Sequence, residues 1–170
     1  MNSTLVSNSI RFVVFILLQV LIFNYITIDF LGGVVFYPCL AFILMLPINT
    51  NRIVMLTVSF VFGLLLDVFV NTGGAHATAC LVLAYFRPFF LVASFGISYE
   101  HQTLKFNDVH LKEIIIYVFL SCVLHHLVLF VLEVFNFSQI LFILKQTFFS
   151  TVFTSVSVLI YFGLTQSKKI

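Results

Sequence analysis

Six ionisable or strongly polar side chains, Gln19, Asp67, Arg87, His125, His126 and Lys145, stand inside apolar runs of this chain. A charged residue at the centre of a membrane span costs about 2.5–3.5 kcal/mol on insertion scales, so such a group normally faces protein, a water-filled cavity or a partner. Asp67 and Arg87 lie on successive apolar segments joined by the glycine-containing turn from Asn71 to Gly74. A carboxylate and a guanidinium so placed suit an ion pair, a proton or ion relay, or a substrate clamp. The ion pair is the simplest reading, because each charge neutralises the other within a low-dielectric interior.

Other chemistries find less support. Adjacent His125 and His126 point about 100° apart on a helix, so chelation would need His76 or Asp67 to join one of them, and the HExxH spacing of zinc proteases is absent. Ser121 lies four residues before His125, but no GxSxG elbow frames a nucleophile. The GGAH turn lacks both phosphate-binding glycine patterns, and its glycines suit a tight connection. The expectation is a protein without enzymatic activity, cofactor or metal, with the polar residues forming a hydrogen-bonded interior.

The elements that must position these residues follow from composition. The chain is 62% apolar and 8% charged, far outside the soluble range, and its net charge of +2 comes without a basic run, which argues against nucleic acid. Cys39, Cys80 and Cys122 sit in apolar segments as small apolar fillers. Six apolar segments can be drawn, at 10–28, 30–46, 53–70, 75–95, 114–134 and 138–164. Five have the roughly 17–25 residues of a spanning helix, while the second carries Gly32, Gly33 and Pro38 and is followed by Pro47. With six spans and both termini cytoplasmic, Arg11, Arg52, Lys105, Lys112, Lys168 and Lys169 fall on the inner side, and the acids Asp29 and Glu133 fall outside. The first segment has no cleavage site and reads as a retained helix. The fold expected is an all-α integral membrane protein, one transmembrane domain over 1–170, with its one sizeable aqueous connector from Gly96 to Glu113.

Helical spacing predicts which faces pack. Ser59, Gly63, Asp67 and Asn71 recur every four residues, and Ala77, Cys80, Ala84 and Arg87 form a matching small-residue face on the next helix. Small residues let helix backbones approach in lipid, so these faces predict the seam of a hairpin. In the last segment Gln139, Gln146, Ser150, Ser157 and Tyr161 recur with a period near 3.5, placing Lys145 beside an inward polar stripe. Gln19 is expected to hydrogen-bond in the same interior, and Glu133 is a possible partner contact at the outer interface.

The stretches GLLLD (63–67), the turn from Asn71 to Ala75, AYFRP (84–88), LLQ (17–19), LPINTNR (46–52) and CVLHHLVLFVLEVFNF (122–137) together resemble the rod shape-determining protein MreD family. The resemblance implies a component of the bacterial inner (cytoplasmic) membrane and of the cell-elongation machinery, with a six-helix bundle similar to the substrate-binding S-components of energy-coupling-factor transporters. It implies association with MreC and, directly or indirectly, with MreB and the peptidoglycan glycosyltransferase and transpeptidase. It carries no catalytic residues, and Asp67 and Arg87 match polar positions of the family. The alternative is a small-molecule-binding subunit of an energy-coupling-factor-type transporter. Against it, the first segment has neither Ala nor Gly for sliding against a coupling partner.

Overall fold

Proline, glycine and asparagine decide where the helices of this chain stop. The computed structural model describes residues 2–28, 33–96 and 110–166. Helix α1 spans Asn2–Leu21, α2 Leu40–Leu44, α3 Arg52–Val70, α4 Ala75–Phe95, α5 Leu111–Val134 and α6 Ile140–Gln166, with single 3-10 turns at Phe23–Tyr25 and Phe137–Gln139. The Asn51 side chain caps α3 by accepting from the Ile53 N–H at 2.8 Å. At its other end Asn71 adopts the left-handed conformation, φ 61°, that ends helices and suits asparagine. Gly74, at φ 100°, then turns the chain into α4.

Among the described residues, α1 and α3 to α6 are long and apolar enough to cross a membrane, which makes this a multi-pass membrane protein. Helices α3, α4, α5 and α6 pack in sequence order, and α1 leans on α3. The α3–α4 seam is tight at one point. A Cβ placed on Gly63 would lie 2.5 Å from the His76 carbonyl oxygen and 2.6 Å from the Ala77 Cα, so the backbones touch where Gly63 has no side chain. Ser59, Asp67, Ala77 and Ala84 are buried along the same seam, whereas Asn71 is exposed beyond it.

Two boundaries depart from expectation. Helix α1 begins earlier than residue 10 and ends at Leu21, because the β-branched run Ile26, Thr27, Ile28 favours extended backbone, and Ile28 forms an isolated bridge with Val34. The larger correction concerns 30–46, where a spanning helix was expected and, among its described residues, only the five of α2 are α-helical. Pro38 offers no N–H, Gly33 takes φ 74°, and Pro47 disfavours helical geometry at Leu46. The chain still traverses the bundle here. The first halves of α1 and α3 line one groove, so the two helices run the same way and the intervening chain must return between their opposite ends. It does so in the interior, with Val34, Tyr37, Leu46 and every residue from Cys39 to Leu44 buried. Irregular backbone is tolerated at membrane depth where protein surrounds it.

Of the long connector, residues 97–109, including Glu100, His101, Lys105 and Asp108, lie outside the described residues, as do Asp29, Lys168 and Lys169.

Candidate functional site

A broken crossing leaves peptide groups without helical partners, and in a hydrocarbon setting each must find another. At the downstream end of α2 the carbonyls of Leu44 and Leu46 are captured by Arg87, whose side chain is 1% exposed. Its Nη2 donates to Leu44 O at 3.3 Å and also to Leu46 O, and its Nε donates to the Tyr117 hydroxyl at 3.0 Å. Tyr117 in turn donates to Leu44 O at 3.1 Å, and Arg87 Nη1 lies 3.3 Å from Met55 Sδ. A planar guanidinium suits this position, since it delivers several donors in fixed directions and places positive charge beside carbonyls at a helix C-terminus.

Asp67 performs the complementary task at the start of α4. Its Oδ1 accepts from the His76 N–H at 2.9 Å and from the Thr72 hydroxyl, and its Oδ2 accepts from the Ala77 N–H at 2.8 Å. The first amides of a helix lack intrahelical partners and carry the positive end of its dipole, so a carboxylate from α3 caps α4. The expected Asp67–Arg87 ion pair is therefore corrected: each charge is held by backbone, at different heights. Arg87 follows Ala77 by ten residues, or about 15 Å along α4, too far for the two side chains to meet.

At the upstream end, the Tyr37 N–H donates to Thr154 Oγ1 at 2.9 Å, and Gln19 Nε2 donates to Phe36 O at 3.3 Å and to Asn24 Oδ1 at 3.0 Å. Three imidazoles gather on the Tyr37 ring, with centroid distances of 5.0 Å to His76, 5.7 Å to His126 and 6.3 Å to His125. Helix α5 packs between α4 and α6, so its adjacent histidines serve two neighbours. His125 Nε2 lies 3.7 Å from Cys80 Sγ on α4, and His126 Nε2 lies 3.2 Å from Thr154 Oγ1 on α6. His126 Nδ1 donates to the Cys122 carbonyl at 2.7 Å, which in a neutral ring leaves Nε2 to accept from the Thr154 hydroxyl. A continuous chain of donors thus runs from Tyr37 N–H through Thr154 and His126 to Cys122 O.

This upstream layer is less completely paired than the Arg87 clamp. Neither ring nitrogen of His76 has a hydrogen-bond partner among the described residues, nor has His125 Nδ1. The same holds for the buried hydroxyls of Thr147, Ser150 and Thr151 on α6. By contrast Ser157 and Thr165, on the same helix, bond back to the carbonyls of Phe153 and Tyr161.

Lys145 does not belong to this layer, which corrects its placement in the polar interior. It is exposed among the exposed Leu141, Leu144 and Phe148, because the residue next to a buried Gln146 points about 100° away from it. Of the residues expected on the polar stripe, Gln146 and Ser150 are buried and Gln139 is exposed, as is Glu133 near the end of α5. Tyr37, Tyr117, Thr154 and His76 carry more of the geometry than their sequence context indicated. Tyr117 shares a helical face with Ser121 and His125, and Thr154 continues the Gln146 and Ser150 spacing, so both were accessible to the same periodicity.

The arrangement satisfies backbone and orients rings. No described group of three His, Cys, Asp or Glu side chains could hold a metal ion. Compared with protein-family models, curated proteins and solved structures, the chain matches none.

Proposed function

We propose that this chain is a non-enzymatic membrane scaffold of the bacterial cell-elongation complex, of the MreD type, which binds MreC and helps to set cell shape and peptidoglycan synthesis. The observation that carries the reading is the assignment of the intramembrane charges. Asp67 and Arg87 hold backbone, at the start of α4 and the end of α2, and so fix a shape rather than stand ready for a reaction. The sequence resemblance at GLLLD and AYFRP supplies the family, and a chain with little mass outside its helices suits an adaptor whose faces are read by other proteins. Mild crosslinking in bacterial membranes followed by purification and mass identification should recover MreC with the chain. Recovery of no cell-elongation protein, under conditions that keep other complexes intact, would sink this reading.

The alternative, a small-molecule-binding subunit of an energy-coupling-factor-type transporter, draws on the unpartnered nitrogens of His76 and the α6 hydroxyls, which offer hydrogen bonds to a guest. A stoichiometric small molecule released from the purified, denatured protein would reverse the ranking. The ring packing around Tyr37, at 5.0 to 6.3 Å between centroids, favours the scaffold, since the layer is filled by the protein's own side chains.

A further inference from the structure

Between α1 and α3 runs a groove of about 700 Å³ that neither the clamp nor the histidine layer uses. Its mouth is polar, with Asn8 and Ser9 from α1 and Thr50 from the turn before α3. Its interior is lined by Phe42, Leu46 and Met55, and its α3 wall runs from Val54 through Thr57 and Val58 to Val61, with Thr57 the one polar side chain among them. Phe12 and Phe42 line it and pack with Phe62 behind them, with ring centroids 4.9 to 5.3 Å apart. Leu46 and Met55 are also the residues whose carbonyl and sulfur Arg87 contacts, so the groove lies on the reverse side of the clamp.

We propose that this groove is a binding site for one membrane phospholipid, held by an acyl chain along α3 with its headgroup at the Asn8, Ser9 and Thr50 mouth. Three features select this occupant. A polar mouth above an apolar trough has the polarity of an amphiphile. The volume lies within the 300–1,000 Å³ range of small-molecule sites. The length is decisive: from Val54 to Val61 the wall extends for seven residues, about 10 Å, a large part of one leaflet of a roughly 30 Å core. A partner helix about 10 Å across would need a track along the whole core. Charge agrees with this. Arg11 lies within a turn of groove residues, and its long side chain can extend toward a headgroup phosphate, whereas the Arg52 guanidinium packs over the Tyr85 ring on α4, 4.8 Å from its centroid. The site is independent of the proposed scaffold role.

Native mass spectrometry of the delipidated full chain, titrated in micelles with palmitoyl-oleoyl phosphatidylglycerol and separately with the phosphatidylcholine analogue, tests it. One adduct should saturate at a single copy with both lipids. The anionic lipid should need about threefold to tenfold less, a difference that disappears in Arg11→Gln and persists in Arg52→Gln, whose guanidinium packs on Tyr85. Val58→Trp, which fills the trough, should weaken that adduct at least about tenfold. Val68→Trp, on the exposed outer face of α3 at 71% exposure, should leave it unchanged. Both variants are checked for cooperative melting; should Val58→Trp fail to fold, Val13→Phe on the α1 wall replaces it. A statistical ladder of adducts, or equal binding by the trough-filling and outer-face variants, would overturn the proposal. So would a co-purifying single-span protein displaced by Val58→Trp in place of lipid.

Discussion

The two ends of the broken second segment solve the same problem differently. At the downstream end one guanidinium and one phenol take the carbonyls of Leu44 and Leu46 in a closed set of contacts. At the upstream end Gln19 and Thr154 take Phe36 O and the Tyr37 N–H, and three histidine rings gather on Tyr37, of which His76 and His125 keep nitrogens with no partner among the described residues. The first end has as many donors as its backbone demands; the second has more. A buried polar group with no partner costs about 1–3 kcal/mol. The downstream end is therefore where substitution should damage the fold, and the upstream end is where polar groups can be removed at little cost.

The largest effect is expected at the clamp. Arg87→Ala leaves the buried Leu46 carbonyl without its donor, at about 1–3 kcal/mol, leaves Leu44 O to the Tyr117 hydroxyl alone, and empties the space of a buried long side chain, so unfolding in detergent should show a loss of roughly 2–5 kcal/mol. An Arg87→Ala protein with unchanged stability would dissolve the contrast between the ends. Gly63→Val comes next. Its first added carbon meets backbone atoms of His76 and Ala77, which cannot rotate away, and a cost of about 1–3 kcal/mol should appear as a lowered melting temperature. Asp67→Ala removes the cap of α4 and should cost about 1–2 kcal/mol, with the early α4 amides of His76 and Ala77 exchanging faster by hydrogen-exchange mass spectrometry. The smallest effect is expected upstream. His76→Phe keeps an edge-on ring beside Tyr37 and deletes two unpartnered nitrogens, so stability should change by less than about 1 kcal/mol. If that variant instead loses partner recovery while remaining folded, the histidine layer has a recognition role beyond packing.

Much of this fold was legible in the sequence because its signals are local. The ends of α3 and α4 follow from Asn51, Asn71, Gly74 and Gly96, and the four-residue recurrence of Ser59, Gly63 and Asp67 marks the face that α3 turns to α4. The error over Asp67 and Arg87 arose from treating 30–46 as a helix. A helix satisfies its own peptide groups, so the two charges had only each other as partners. Once Pro38 and Pro47 interrupt that helix, its carbonyls become acceptors for Arg87, a long-range relation that no window of sequence contains. Lys145 was misplaced for a narrower reason. Its neighbour Gln146 lies on the buried stripe, but adjacency along a helix is a rotation of about 100°, which carries Lys145 to the exposed face. The gathering of His76, His125 and His126 on Tyr37 also needed the structure, because the ring that joins them comes from the non-helical part of the second segment.

The central claim is that the intramembrane charges serve backbone and not each other, and paired double-mutant cycles on folding stability address it most directly. Arg87→Ala combined with Tyr117→Phe should show a coupling of about 0.5–3 kcal/mol, because the two side chains share Leu44 O. Arg87→Ala combined with Asp67→Ala should be additive within about 0.5 kcal/mol, as for sites without shared partners. Strong coupling between Asp67 and Arg87, with additivity between Arg87 and Tyr117, would contradict the account.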